Sequence, residues 1–381
     1  MKSDLIQWIE LDRSAFNHNL RQFRLLIGKQ RKLLAMVKAN AYGHGMLEMA
    51  RLAVAGEADW LGVHSLEEGI ALRKAGLHAP VLVVGYVPLV GLEEAVRQDL
   101  SMVVYNRESV LRLENICKKL GKQALLHLKV ETGTYRQGIE LDALLTMARA
   151  IQASPCLVLE GISSHFANIE DTTDHAYAGF QLKNFQESLK VLADENIPVS
   201  LRHMSCSAAV MLFPKTHFDM VRAGIGLYGL WPSKETYVSC LIKKKKPVLL
   251  RPVLNWKARI AQLKSVPSGS FIGYGCTYKT TRRTRLAVVP VGYYDGYPRD
   301  LSNVGYALVK GQRAPLRGRV AMDFFVVDVT DIPGVKLEEE IVLLGKMGKD
   351  ELTADTMATW AGTINYEIVA RLNPGIPRIL V

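Results

Sequence analysis

Residues 33–45 read LLAMVKANAYGHG. Leu33 to Val37 form a short apolar run of strand type, and Lys38 closes it. A lysine is rarely fully buried unless it is paired or used chemically, so its place at the end of a buried strand needs a reason. The Gly-rich, aromatic segment that follows does not supply the GxGxxG fingerprint of a dinucleotide-binding sheet. Outward from this stretch, strand-type and helix-type segments alternate from residue 32 to 230. The strand candidates are KLLAMVKAN, WLGVHS, PVLVVGY, LSMVVYN, ALLHLKVET, LVLEGISSHFA, VSLRHMSC and MVRAGIGLYG. Between them SLEEGIALRKAG, RESVLRLENICKKLG and LDALLTMARAIQAS carry helical spacing. Eight β units joined by helical crossovers over about 200 residues argue for a (β/α)8 TIM-type barrel over an open sheet, which usually has fewer strands.

Beyond residue 240 the pattern changes. LNWKARIAQLKSV, TRLAVVPVGY, YALVKGQRAPLRGRV, FFVVDVTDI and EEEIVLLG alternate polar with apolar and are separated by Gly, Pro and Asp. They predict a C-terminal β-rich domain, with a helix over DELTADTMATWAGTI. The opening IQWIELDRSAFNHNLRQFR reads as one strand and then a helix, and that strand is free to pair into the C-terminal domain. The expected organisation is therefore α/β plus β: a barrel over residues 11–240, and a β-rich domain built from 1–10 and 241–381.

Composition narrows the function classes. With 381 residues, 49% apolar and 22% charged, the chain suits a globular protein with a large core. No apolar run approaches the roughly 18 residues of a membrane span. The start, MKSDLIQWIELDRSAF, is broken by Asp4, Glu10 and Asp12 where a secretory signal needs an apolar core, so a cytoplasmic protein is expected. Cys117, Cys156, Cys206, Cys240 and Cys276 are scattered, which is neither a disulfide framework nor a zinc site, and no metal is expected. The formal charge of +11 would suit nucleic acid or small anions. Its densest cluster, Lys243 to Lys246 before Pro247, lacks the aromatic interleaving of a nucleic-acid reader and reads as a solvated loop between domains.

In a (β/α)8 barrel the chemistry sits at the C-terminal ends of the strands. The polar residues expected there are Lys38 and Tyr42 on the first strand, Lys129, Glu131 and Arg136 on and after the fifth, and His165 on the sixth. The seventh offers His203, Ser205 and Ser207, and the eighth Arg222 followed by AGIGLYG. Lys38 is either a snorkelling surface residue or a Schiff-base lysine, since a partly desolvated amine loses its charge readily. His165 and His203 taken singly read as core histidines. The glycines after Arg222 form either a plain turn or a backbone cradle for an anion, in the loop where barrels often bind phosphate. An amine, a phosphate cradle and an arginine in one barrel mouth suggest pyridoxal phosphate.

The segments AMVKANAYGHG, SHFAN, HMSCSAA, DMVRAGIGLYG, SFIGYGCTY, VGYYDGYPR, LRGRVAMD and TINYEIVARL resemble, in this order, those of the alanine racemases. The resemblance covers essentially the whole chain and implies a homodimer with shared active sites. By resemblance, Lys38 would hold pyridoxal 5'-phosphate and act as one acid/base, and Tyr274 from the partner subunit would be the other. Arg222 would face the pyridine nitrogen, with His203 supporting it. Tyr42, Ser207, the backbone at Gly224 and Ile225, and Tyr366 would hold the phosphate, and His165 would pack near the ring. Arg136 would contact the cofactor's phenolic oxygen and the substrate carboxylate, and the partner's Met322 and Asp323 would line the carboxylate pocket. Tyr293, Arg299 and Arg319 resemble residues of the approach channel. Lys129 matches a lysine that is carbamylated in some relatives; its alternative is an ion pair with an acid such as Glu131.

Two positions depart from the family pattern. Thr134 and Tyr135 stand where Met and a small residue are usual, and Cys206 replaces Asn before Ser207 and Ala208. The expected reaction interconverts L- and D-alanine and supplies D-alanine for peptidoglycan. A narrow pocket between Tyr274, Tyr366 and Met322 would reject serine only weakly. The competing readings are a pyridoxal-dependent amino-acid decarboxylase, disfavoured by YGCTY and TINYE, and a non-catalytic nucleic-acid-binding barrel. A smaller pyridoxal-homeostasis protein would lack the C-terminal β domain.

Overall fold

The computed structural model describes residues 4–243 and 248–381, so most of the expected lysine-rich loop lies outside the described residues. The chain divides into two compact units, Ala15–Ala39 with Met46–Arg251, and Met1–Ser14 with Asn40–Gly45 and Pro252–Val381. The strands run β1 (Gln7–Leu11), β2 (Lys32–Met36), β3 (Trp60–Val63), β4 (Val81–Val83), β5 (Ser101–Val104), β6 (Ala124–Lys129), β7 (Leu157–Ser163), β8 (Leu201–His203) and β9 (Met220–Ala223).

Strands β2 to β9 make the eight-stranded parallel sheet of the first unit, in the order β8-β7-β6-β5-β4-β3-β2-β9. It is the expected (β/α)8 barrel. Its strands are short, nearly continuous apolar runs because both faces are covered: Leu33, Leu34 and Val37 are fully buried, as are Leu61 and Leu82. The ring closes at β2 and β9, where Leu34 pairs with Arg222 and Ala35 with Ala223. Between β8 and β9 the seam is held by single bonds: the Asp219 N–H donates to the Arg202 carbonyl (3.1 Å) and the Arg222 N–H to the Ser205 carbonyl (3.0 Å). Beside them the Arg202 guanidinium donates to both Asp219 oxygens, at 2.6 and 2.9 Å.

Sequence cues set the helix starts. Ser65 opens the helix Leu66–Lys74 with a capping box completed by Glu68. Asn106 caps Arg107–Leu120, which Gly121 ends in a left-handed conformation.

In the second unit the strands are β10 (Leu254–Arg259), β11 (Gln262–Val266), β12 (Phe271–Ile272), β13 (Tyr278–Lys279), β14 (Thr284–Val289), β15 (Tyr306–Val309), β16 (Gln312–Pro315), β17 (Phe325–Asp328), β18 (Glu340–Met347), β19 (Asp350–Leu352) and β20 (Arg378–Leu380). The main sheet follows β16-β15-β18-β10-β1-β20, with β19 on β18, and β11-β14-β17 form a second sheet. The N-terminal strand lies inside this unit: Ile9 pairs antiparallel with Trp256 and parallel with Arg378.

Two expected boundaries move. The C-terminal helix starts at Ala354, because Thr353 takes the cap position and Asp350–Leu352 pairs with β18. The strand expected through Asn40 ends at Met36, and Ala39, Asn40, Ala41 and Tyr42 follow with φ of 53, 52, 53 and 52°. These four residues form a left-handed helical turn.

Candidate active site

Lys38 sits where β2 gives way to that turn. The ladder runs one residue past β2, with the Val37 N–H on the Gly62 carbonyl at 2.8 Å. The Ala39 N–H then donates to Glu68 Oε1 at 2.7 Å, while Glu68 Oε2 takes the His64 and Ser65 amides at 2.7 and 3.3 Å. One carboxylate thus caps a helix and pins the backbone beside Lys38. L-residues in the left-handed helical conformation cost about 1–2 kcal/mol each, so the turn is a strained feature fixed by its surroundings. The Lys38 amine is half-buried, and its pKa is lowered by that burial and then by Arg136 and Arg222, against opposing pulls from Glu68 and Glu170.

Arg222, on β9, is buried with five acceptors in reach. Nη1 donates to His203 Nδ1 (2.6 Å) and the His203 carbonyl (3.1 Å). Nη2 faces the Ser164 carbonyl (2.8 Å), the Met204 carbonyl (3.1 Å) and His165 Nδ1 (3.1 Å). A guanidinium only donates, so both histidines accept through Nδ1. Burial, and after it the charge of Arg222, hold both imidazoles neutral.

Lys129 ends β6, and its Nζ donates to Gln137 Oε1 at 3.4 Å. Burial first, then Arg222 and Arg136, lower its pKa to about 8, with Glu131 opposing. Glu131 is committed to the backbone instead of to an ion pair: Oε1 accepts the amides of Thr132, Gly133 and Thr134 at 2.8, 2.6 and 2.6 Å. Thr134, the first family departure, donates its hydroxyl to the His165 carbonyl at 2.8 Å, while Tyr135 stands 80% exposed at φ 50° and Arg136 is exposed beside it. Cys206, the second, directs its thiol at Glu170 Oε1 at 3.4 Å, and burial and then Glu170 push the thiol pKa up. Ser207 Oγ gathers the amides of Gly224 (2.9 Å) and Gly226 (3.4 Å). Gly226 is required here, since a Cβ would lie 2.4 Å from the Phe23 ring.

The barrel therefore carries Lys38, Lys129, Arg136, His165, His203, Ser207, Arg222, Gly224 and Ile225. The β-rich unit carries the others. There the Tyr42 and Tyr366 rings pack at 6.1 Å. Gly43 needs its φ of 82° and has no room for a Cβ, which would meet the Val369 carbonyl oxygen at 1.8 Å. Tyr274 is 77% exposed on a short turn between Gly273 and Gly275, and a Cβ on Gly275 would sit 2.8 Å from Arg319 Nη1. Met322 and Asp323 lie on an exposed turn tied back by the Tyr294 amide on the Met322 carbonyl (3.1 Å). Two polar residues that sequence reasoning missed, the buried His127 and the half-buried Glu160, lie behind Arg222. The available signal was the Glu-Gly pair inside LVLEGIS, since glycine within a strand pattern marks a bulge.

Fold and site define a barrel with a half-buried lysine amine at the end of its first barrel strand. The alanine racemase N-terminal domain model matches residues 11–232 and the C-terminal domain model residues 253–380. An alanine racemase of Desulforamulus reducens is 41% identical over 375 residues, 98% of each chain. One of Leptospira interrogans is 37% identical over 382 residues, covering 100% of this chain and 97% of the relative. The solved Clostridium difficile alanine racemase superposes with a TM-score of 0.93 at 31% identity, covering 99% of this chain and 96% of its own. The Bacillus anthracis enzyme, solved with bound L-Ala-P, gives 0.91 at 33% identity over 99% of this chain and 95% of its own. The chain belongs to the alanine racemase family, whose members are pyridoxal-phosphate-dependent isomerases. No helix among the described residues is long and apolar enough to cross a membrane.

Proposed function

We propose that this protein interconverts L-alanine and D-alanine with pyridoxal 5'-phosphate, as a homodimer whose two active sites each draw on both chains. The observation that carries the reading is the lowered, half-buried Lys38 amine in the same barrel mouth as Arg222. The donor set fits the cofactor: an amine for its aldehyde, Ser207 with the Gly224 and Ile225 backbone for its phosphate, and a permanent cation for its ring nitrogen. When bound, pyridoxal phosphate supplies the electron sink for an α-carbanion.

Lys38 Nζ moves the α-proton on one face of the substrate, and the hydroxyl of Tyr274 of the partner subunit moves it on the other. Two bases are needed because one rigid group serves one face well. Arg222 would face the ring nitrogen as a permanent cation, a donor that cannot surrender its proton and would favour the unprotonated nitrogen. Tyr42 and Tyr366 would help to hold the phosphate, and His165 would pack near the ring. Arg136, with the partner's Met322 and Asp323, receives the substrate carboxylate. Lys129, with a pKa of about 8, is uncharged in about a tenth of molecules at pH 7, the form that takes up carbon dioxide. The resulting carbamate would position Arg136. Production of D-alanine for peptidoglycan in the cytoplasm is the role this activity would serve. The Bacillus anthracis relative solved with L-Ala-P supports an alanine-sized ligand.

Purified protein should be yellow, with the colour fixed by borohydride to the peptide containing Lys38, and should abolish the optical rotation of L-alanine. Lys38→Ala should lose both properties. Tyr274→Phe should stay yellow and lose mainly the direction that needs the phenol. A colourless protein, or a Lys38→Ala variant that still racemises, would overturn the proposal.

A further inference from the structure

Behind Arg222 a chain of two buried histidines leads to a half-buried carboxylate, with a single sense of donation. The Arg222 guanidinium can only donate, so at 2.6 Å His203 Nδ1 must accept. The neutral His203 then carries its proton on Nε2, which lies 2.8 Å from His127 Nδ1. His127 accepts there and so is protonated at Nε2, which lies 3.1 Å from Glu160 Oε2. The Ser101 hydroxyl donates to the same oxygen at 2.7 Å. Burial raises the Glu160 carboxyl, but the hydrogen bonds from His127 and Ser101 outweigh it and keep the group ionised.

The fold makes room for this chain. On β6 and β7, Leu126 pairs with Leu159 and His127 with Gly161, so Glu160 is the extra residue of a β-bulge. A Cβ on Gly161 would lie 2.2 Å from His127 Nδ1, so only glycine lets the imidazole occupy its place. The His127 ring is fully buried, edge-on to His203 (5.0 Å between centroids) and to Trp60 (5.8 Å).

We propose that Glu160 and His127 are positioning residues: they fix the Nε2–H tautomer of His203 and thereby hold the Arg222 guanidinium in one orientation. This rests on the reading that Arg222 faces the cofactor ring. The arrangement gives a buried cation a distant carboxylate counter-charge through two neutral imidazoles. Arg222 keeps an uncharged acceptor at its side, where a directly paired carboxylate would cancel its field at the ring.

The test uses holoenzyme labelled with 15N in its histidine rings, read by long-range 15N–1H correlation. His203 and His127 should both show protonated Nε2 and bare Nδ1. His44, whose Nδ1 donates to the Tyr42 carbonyl at 2.9 Å, should show the opposite pattern and serves as internal reference. Glu160→Leu should remove the single tautomer at His127, shift the His203 nitrogens, and lower kcat about tenfold with little change in KM. Glu160→Gln keeps an acceptor oxygen and should restore both tautomers. Wild-type His203 protonated at Nδ1, or a folded Glu160→Leu with both rings unchanged, would overturn the proposal; the wild-type spectrum decides even if the leucine variant does not fold. The predicted tautomers in a protein that binds no pyridoxal phosphate would support the relay and overturn the reading of the site.

Discussion

Lys129 carries a consequence for stability as well as for chemistry. Its pKa falls from 10.5 to about 8 on folding. Between those values the unfolded chain holds the proton and the native one does not, so stability rises with pH across that window. The slope from this group is at most about 1.4 kcal/mol per pH unit. Below about 8 both states are protonated and the cost of burying the charge is fully present. In bicarbonate-free buffer, Lys129→Met should therefore be more stable than wild type at pH 7 and should lose this rise, as read by urea unfolding at several pH values. Lys38, His165, Ser207 and Arg222 were legible because they are polar residues at the ends of apolar strands. His127 and Glu160 were not, because the bulge at Glu160 shifts the alternation and a histidine in LLHLK reads as core.

The elements that surprised a sequence reading are the two where the backbone leaves its ordinary path. The left-handed turn at Ala39–Tyr42 contains no glycine, so nothing in KANAY announces it, and the strand was expected to continue through Asn40. The amide contacts of Glu68 hold its first residue. Relief of one strained position should be measurable: the exposed Ala39→Gly should raise stability by about 1 kcal/mol, seen as a higher unfolding midpoint. The bulge on β7 has the opposite sensitivity. Gly161→Ala places a methyl against the His127 ring and should cost about 3 kcal/mol or more, with loss of the His127–His203 bond. The barrel itself, by contrast, was readable from eight alternating units, because each strand must bury both faces.

At the scale of the whole molecule, the barrel closes least securely between β8 and β9. Asp219→Ala removes the guanidinium pair beside that seam and its acceptor for the Arg202 amide, and should lower the unfolding free energy by about 1–2 kcal/mol without touching the proposed chemistry. The chain moves between its two units four times, since residues 1–14, 40–45 and 252–381 share one unit while 15–39 and 46–251 share the other. Cleavage by a protease anywhere in 244–251 would therefore not liberate two self-sufficient halves. The N-terminal fragment would carry β1 away from β10 and β20, leaving both of its edges unpaired and prone to stick to other chains. Lineages could not exchange the barrel of this protein for another by joining genes end to end.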